Sequence, residues 1–284
     1  MKKANIIILS GQSNAVGVGF VNCLSRHFNE EKVNEYLNGY ENIKINYFSH
    51  DKRSHGFVKV TVGCTEIQKF TIGPEVGIAE FINENFEGEE FFIVKSAVGG
   101  ADLKRDFRSP SSGGNYCADA FGDQYEDMLG AFFGGKPIKA GWCYNELVKI
   151  LHESIDYLTS NGYEPVIKAF CWMQGESDAG CIEDVNNYHE LYANMISDLK
   201  AEFVPFIKDC AFIDAGISTI WAEYIKMNEF KKNYAETHEN SFFIDTIAAG
   251  LTTTFEPVES PDIYHYDSDS VIKLGKLFAE KISF

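Results

Sequence analysis

The sequence predicts an α/β fold, a three-layer α/β/α sandwich around a central, mainly parallel sheet. Three observations predict it. Short runs of β-branched and aromatic residues recur along the chain, and helical patterns separate them. Most of the runs hold apolar residues at consecutive positions instead of alternating, as in strands covered on both faces. The strand–helix alternation continues to the C-terminus, the pattern of a parallel sheet with helices on both sides.

The first run is Asn5–Leu9 (NIIIL), and the next strand is expected at Ile43–Phe48. Phe57–Gly63 (FVKVTVG) alternates, so it reads as a half-exposed hairpin strand. Pro74 suits the first position of a helix that runs on through Glu75–Asn85, because its fixed φ is helical and its missing N–H would have no partner there. Phe91–Lys95 is the third buried run. A helix over Trp142–Leu158 leads into Val166–Trp172. Val185–Phe203 carries apolar residues at 185, 188, 192, 195, 196, 199 and 203, close to a 3.6-residue period. Strands at Cys210–Asp214 and Phe242–Ile247 follow, and Val271–Ile282 closes the chain as an amphipathic helix. Residues 101–141 break the rhythm: they hold seven of the 24 glycines, two of the 7 prolines and no clear period. A stretch of this length without its own pattern reads as a lid or binding loop, so residues 1–284 are taken as one domain with a long insertion at 101–141.

The charge balance excludes several functions. Asp and Glu number 42 against 25 Lys and Arg, for a formal net charge of −17. So acidic a surface repels phosphate backbones and anionic bilayers, so neither nucleic acid nor membrane is expected as a partner. The 7 cysteines are odd in number and form no C-x-x-C pair, against a disulfide framework or thiolate zinc site and in favour of a reducing compartment. The apolar run ending at Leu9 is too short for a membrane span and for most signal peptides, which makes the cytoplasm the expected location, or a secreted chain whose signal has been removed. Nothing in the sequence fixes an oligomeric state.

In open α/β sheets, ligands bind beyond the carboxyl ends of the strands. The residues there are Ser10-Gly11-Gln12-Ser13-Asn14, Val98-Gly99-Gly100-Ala101-Asp102, Met173-Gln174-Gly175-Glu176-Ser177-Asp178 and, near the C-terminus, Asp262-Ile263-Tyr264-His265. Together they supply a hydroxyl, glycine amides, a side-chain amide and a carboxylate–imidazole pair, the components of acyl transfer. Ser13 is a poor nucleophile unless a base takes its proton, and His265 is the candidate base. Asp262, three residues earlier, can hold the imidazole in the right tautomer. The N–H groups of Ser13 and Gly100 and the amide of Gln174 are candidate oxyanion donors. Taken singly, Ser13 reads as a helix cap, Gly99-Gly100 as a turn and His265 as a surface residue. What argues for chemistry is that all of them fall at strand ends of one sheet.

These strings resemble the SGNH-hydrolase superfamily, in particular its sialate O-acetylesterase and acetylxylan esterase branch, carbohydrate esterase family 6. G-Q-S-N at 11–14, V-G-G at 98–100, W-M-Q-G-E-S-D at 172–178 and D-I-Y-H-Y at 262–266 carry the resemblance, with G-P-E at 73–75 and Leu274-Gly275 in support. It spans residues 5–283 and is poor over 104–141. It implies a flavodoxin-like sheet and a serine esterase that removes acetyl groups from a carbohydrate of the acetylxylan or O-acetyl sialic acid type, with neither metal nor organic cofactor. It implies Ser13, Asp262 and His265 as the triad and Ser13, Gly100 and Gln174 as the oxyanion hole, with Gln12, Asn14, Gly99, Glu176 and Asp178 as supporting motif residues. The rival readings are a short-chain carboxylesterase without sugar preference and a non-catalytic carbohydrate-binding protein.

Other patterns fail on a single residue. His189-Glu190 begins an H-E-x-x-H zinc motif, but position 193 is Ala. Gly17-x-Gly19 has Asn at 22 where a dinucleotide loop needs glycine. G-Q-S-N-A lacks the last glycine of a nucleophile elbow. The 101–141 insertion leaves from the oxyanion side, so it is expected to wall the site, with Phe107, Tyr116, Phe121 and Tyr125 stacking on sugar and Arg105 and Arg108 meeting a substrate carboxylate.

Overall fold

The computed structural model describes residues 2–50, 52–65, 70–86, 89–114 and 140–283. Its strands in chain order are β1 (Lys2–Gly11), β2 (Gly19–Phe20), β3 (Tyr40–Ser49), β4 (Lys52–Arg53), β5 (Val58–Val60), β6 (Thr71–Ile72), β7 (Phe91–Ala97), β8 (Tyr163–Met173), β9 (Ala211–Ala215) and β10 (Ser241–Ile244). Among the described residues the main sheet has the order β10-β9-β8-β1-β7-β3-β4, with β5 also paired to β3. From β10 to β3 every neighbouring pair is parallel; β4 and β5 run antiparallel to β3 at the edge. β2 and β6 form a separate antiparallel ladder.

The helices are α1 (Ser13–Val16), α2 (Glu30–Asn38), α3 (Pro74–Asn85), α4 (Trp142–Ser160), α5 (Ile182–Glu202), α6 (Tyr224–Thr237) and α7 (Ser268–Ala279). β1 is buried at each position from Ala4 to Gly11 and β7 throughout. Successive strand residues face opposite sides, so unbroken burial means that helices cover both faces. This is the expected α/β architecture. α3 starts as expected, with Gly73 as N-cap and Pro74 in its first turn. α3 and α7 cross closely enough that a Cβ on Gly77 would stand 1.9 Å from Ile272 O, and one on Gly275 1.9 Å from Pro74 O.

The departures are local. β10 stops at Ile244 instead of Ile247, because the Asp245 carboxylate accepts from Ala248 N–H (2.9 Å) and turns the chain. The hairpin strand expected over Phe57–Gly63 shortens to Val58–Val60. Residues 105 and 106 are tied to the start of α4: Gly141 N–H donates to Arg105 O (2.8 Å) and Cys143 N–H to Asp106 O (2.9 Å). Tyr116, Phe121 and Tyr125 lie outside the described residues.

The topology places the site. After β1 the chain builds β3 and β7 on one side, then crosses to build β8, β9 and β10 on the other. The order therefore reverses about β1, where a crevice opens at the carboxyl ends. Gly11 lies in register with both Ala97 of β7 and Met173 of β8, so the three central strands end at one level.

Candidate active site

The turn after β1 is fixed by close backbone packing. Gly11 has φ +140°, and a Cβ there would stand 1.9 Å from Met173 O. Gln12 N–H donates to that carbonyl (2.9 Å) and Val98 N–H to Gly11 O (3.1 Å). The chain then turns into α1 at Ser13, a half-buried residue whose N–H, first in its helix, has no intrahelical acceptor. On the β7 side, Ala101 N–H donates to Val98 O (3.2 Å), closing a turn with Gly99 and Gly100 at its corners. Gly100 sits at φ +71°, the left-handed conformation that this turn needs at its second corner. Ser177 Oγ–H donates to Gly100 O (3.0 Å) and anchors the turn to the loop after β8.

Asn14 joins the remaining two segments. Its Nδ2 donates to Glu176 Oε1 (2.8 Å) and to Tyr264 O (3.4 Å), while its Oδ1 accepts from Tyr266 N–H (2.9 Å). The residue after Ser13 thus holds the backbone on both sides of His265. His265 Nδ1 lies 2.6 Å from Asp262 Oδ2, and Asp262 Oδ1 accepts from Tyr264 N–H (3.0 Å). A carboxylate only accepts, so Nδ1–H is the donor of this bond. Both side chains are about a quarter exposed (25% and 27%), open enough to meet a substrate. Asn14 thus ties the turn that carries Ser13 to the loop that carries Asp262 and His265, and Ser177 ties the Gly100 turn to the loop after β8.

Gln174 departs from the sequence expectation. It is wholly buried, and its Nε2 already faces Asp178 Oδ2 (2.5 Å), Ala101 O (3.1 Å) and Gln12 Oε1 (3.3 Å). Two hydrogens facing three acceptors leave none for an oxyanion, so the geometry makes Gln174 a brace between the loops. Gln12 Oε1 accepts a second bond from Ser177 N–H (3.1 Å), completing that brace. Asp178 accepts from Leu103 N–H (3.1 Å) and Lys104 N–H (3.3 Å), which ties down the chain just after the Gly99-Gly100 turn. Burial, reinforced by the charge of Asp102, pushes its carboxyl well above the usual range. Burial also pushes Glu176 up, with the Asn14 bond opposing. Glu176 and Asp178 therefore act as struts.

Two further expectations are corrected. Arg105 does not reach into the crevice. Its guanidinium lies 3.2 Å and 3.3 Å from the two Asp106 oxygens and 3.4 Å from Asp102, because these carboxylates stand one and three residues away in a tight turn. Phe107 is fully buried with its ring edge-on to Trp172 (4.9 Å), where no sugar can reach it. Arg108 is half-buried in the same segment.

Buried cations under the rim escaped the sequence reading. Lys95 of β7 and Glu75 of α3 form a fully buried ion pair (2.7 Å), and Lys95 Nζ also donates to Val16 O (2.6 Å), at the end of the helix that begins with Ser13, and to Cys64 O (3.0 Å). Lys231 of α6 donates to Gln174 O (2.5 Å), Asp214 Oδ1 (2.7 Å) and Ala215 O (2.9 Å). Lysine inside the run FFIVKSA was a visible signal, since a charge in a strand covered on both faces needs a counter-charge. Lys231 gave none, sitting in an ordinary polar helix. Among the described residues, no group of three or more His, Cys, Asp or Glu is placed to hold a metal ion.

Comparison with known proteins agrees with the fold. A structure of a protein from Arabidopsis thaliana superposes with a TM-score of 0.63 at 21% identity, over 97% of this chain and 96% of that one. NanS superposes at 0.64 and 14% identity, over 99% and 97%. A carbohydrate acetylesterase from Xanthomonas citri superposes at 0.61 and 15% identity, over 98% of this chain and 55% of that one. At these identities the likeness is one of fold. No curated protein matches the sequence at significance. The family model for "Carbohydrate esterase, sialic acid-specific acetylesterase" matches residues 3–283. By that match over nearly its whole length, the chain belongs to this carbohydrate esterase family and is a carbohydrate acetylesterase.

Proposed function

We propose that the enzyme hydrolyses acetyl esters of sugars, of the acetylxylan or O-acetyl sialic acid type, through an acetyl-enzyme on Ser13. His265 Nε2 takes the Ser13 proton as Oγ attacks the acetyl carbonyl, and Asp262 holds the ring while it carries charge. The N–H groups of Ser13 and Gly100 face the developing oxyanion. Collapse breaks the ester bond, and His265 returns the proton to the departing sugar oxygen. Water then attacks the acetyl-enzyme by the same route, and acetate leaves as Ser13 recovers its proton. The observation that carries this reading is the Asn14 bridge, which fixes the backbone around His265 to the residue beside Ser13. The test is a panel of acetylated xylan, O-acetyl sialic acid, acetylated glucose and ethyl acetate, with intact mass measured under turnover. The expected result is a 42 Da acetyl adduct on Ser13, the mass of an acetyl group replacing a proton, and a preference for sugar esters over ethyl acetate. Equal kcat/KM across the panel would favour a short-chain carboxylesterase, and turnover with no adduct after rapid quenching would overturn the covalent route.

Asn14 is the positioning residue in this scheme. Asn14→Ala removes the bridge and leaves Glu176 Oε1 without its donor. Misplacing a base by about 1 Å costs on the order of 10² in rate. The expected result is a kcat lower by roughly 10²-fold with KM within a fewfold, measured on one sugar acetate. A change confined to KM would place Asn14 in substrate binding instead.

A further inference from the structure

The direction of acyl transfer, taken together with the aromatic residues beside His265, assigns a binding site for the alcohol half of the substrate. This rests on the proposed role of His265. The group that returns a proton to the leaving oxygen must lie against the leaving group, so the sugar has to occupy the His265 flank, while the acetyl group occupies the Gly100 flank. The His265 flank is built by Tyr264 and Trp221. Tyr264 is 50% exposed, immediately precedes His265, and its carbonyl is held by Asn14. Its ring packs on that of Trp221, with centroids 5.6 Å apart at 48°. Trp221 lies on the loop after β9, which Glu223 N–H pins to Ala179 O (3.0 Å) in the turn after β8. The pair therefore spans the rim from the β8 loop to the His265 loop. Their sequence neighbours Ile220 (43% exposed) and Ile263 (38%) are also exposed apolar residues.

We infer that Tyr264 and Trp221 form a platform for a pyranose ring whose acetyl ester points at Ser13. A pyranose presents C–H bonds on its faces and hydroxyls at its edge. A tilted aromatic pair matches the face, leaving the hydroxyls, including the Tyr264 phenol, toward water. Such binding energy is realised away from the reacting atoms, so it sets selectivity between sugar and simple alkyl esters.

The experiment measures kcat/KM for a mono-O-acetylated methyl xylopyranoside and for ethyl acetate, whose leaving group is too small to stack. Proteins compared are the wild type, Tyr264→Leu, Tyr264→Phe and Trp221→Leu, with thermal melts to establish folding. The expected result is a fall of about tenfold in the pyranoside-to-ethyl-acetate ratio for Tyr264→Leu and Trp221→Leu, carried by KM, and restoration of the ratio in Tyr264→Phe. An unchanged ratio in folded Tyr264→Leu overturns the platform, as does a ratio that Tyr264→Phe lowers equally. Should Trp221→Leu not fold, the exposed Tyr264 pair decides. Failure of the underlying reading looks different: the wild type would then form no acetyl adduct on Ser13 with either ester.

Discussion

Ser13→Ala is expected to fold as the wild type does and to lose acetyl ester hydrolysis by a factor on the order of 10⁴–10⁶ in kcat. The residue stands at the start of α1 with its side chain half-exposed, so removing one hydroxyl leaves no cavity in the core. The turn that holds it depends on Gly11 and on the Gln12 and Val98 backbone bonds, none of which uses the Ser13 hydroxyl. The loss is therefore expected in rate alone. The triad members act as a unit, so His265→Ala should cost a similar factor, and the double variant little more than either single one. Residual activity is expected to reflect the N–H donors of Ser13 and Gly100, which survive both substitutions. Acetate release under saturating substrate, with melting temperatures for each variant, measures this. Activity of Ser13→Ala within tenfold of wild type would sink the assignment of Ser13 as nucleophile.

What the sequence made legible follows from how locally each feature is encoded. The strands β1 and β7 are visible because double-sided burial favours consecutive apolar residues, as in Ile6–Leu9 and Phe91–Val94, and α3 because Pro74 marks its first turn. Their carboxyl ends located Ser13, Gly100 and Asp178, since a parallel sheet turns strand ends into loops on one rim. Asp262 and His265 were legible as a pair because three residues in a tight turn suffice to join them. The direction of the Gln174 amide was not legible, because it is set by Ala101 and Gln12, which lie 73 and 162 residues away, as well as by Asp178 in its own loop. Arg105 was misread for a simpler reason: the competing carboxylates of Asp102 and Asp106 were adjacent in the sequence and outbid a hypothetical ligand. Trp221 gave no signal, because its place beside Tyr264 exists only once the β9 loop and the C-terminal loop have folded together.

Lys95→Met is expected to destabilise the fold by about 3–5 kcal/mol, the range for breaking a buried ion pair by removing one partner. Lys95 and Glu75 are both fully buried, so the carboxylate left behind cannot turn to water. The Glu75 carboxyl is already pushed up by burial, and Lys95 is the cation that opposes the rise. Without Lys95 the carboxyl rises further and Glu75 takes up a proton more readily. A carboxyl raised in the folded state above its unfolded value stabilises the fold in acid, and that contribution is lost as pH rises through the folded value. The deficit of Lys95→Met should therefore be smaller at pH 5 than at pH 8. Adding Glu75→Gln should remove this pH dependence and recover part of the stability. Part of the deficit should remain, because the Val16 and Cys64 carbonyls still lack their donor. Urea unfolding of the wild type and the single and double variants at both pH values measures each quantity. A single variant that loses the same amount at pH 5 and pH 8 would show that Glu75 stays ionised without its cation, and that the Val16 and Cys64 bonds, not the ion pair, set the role of Lys95.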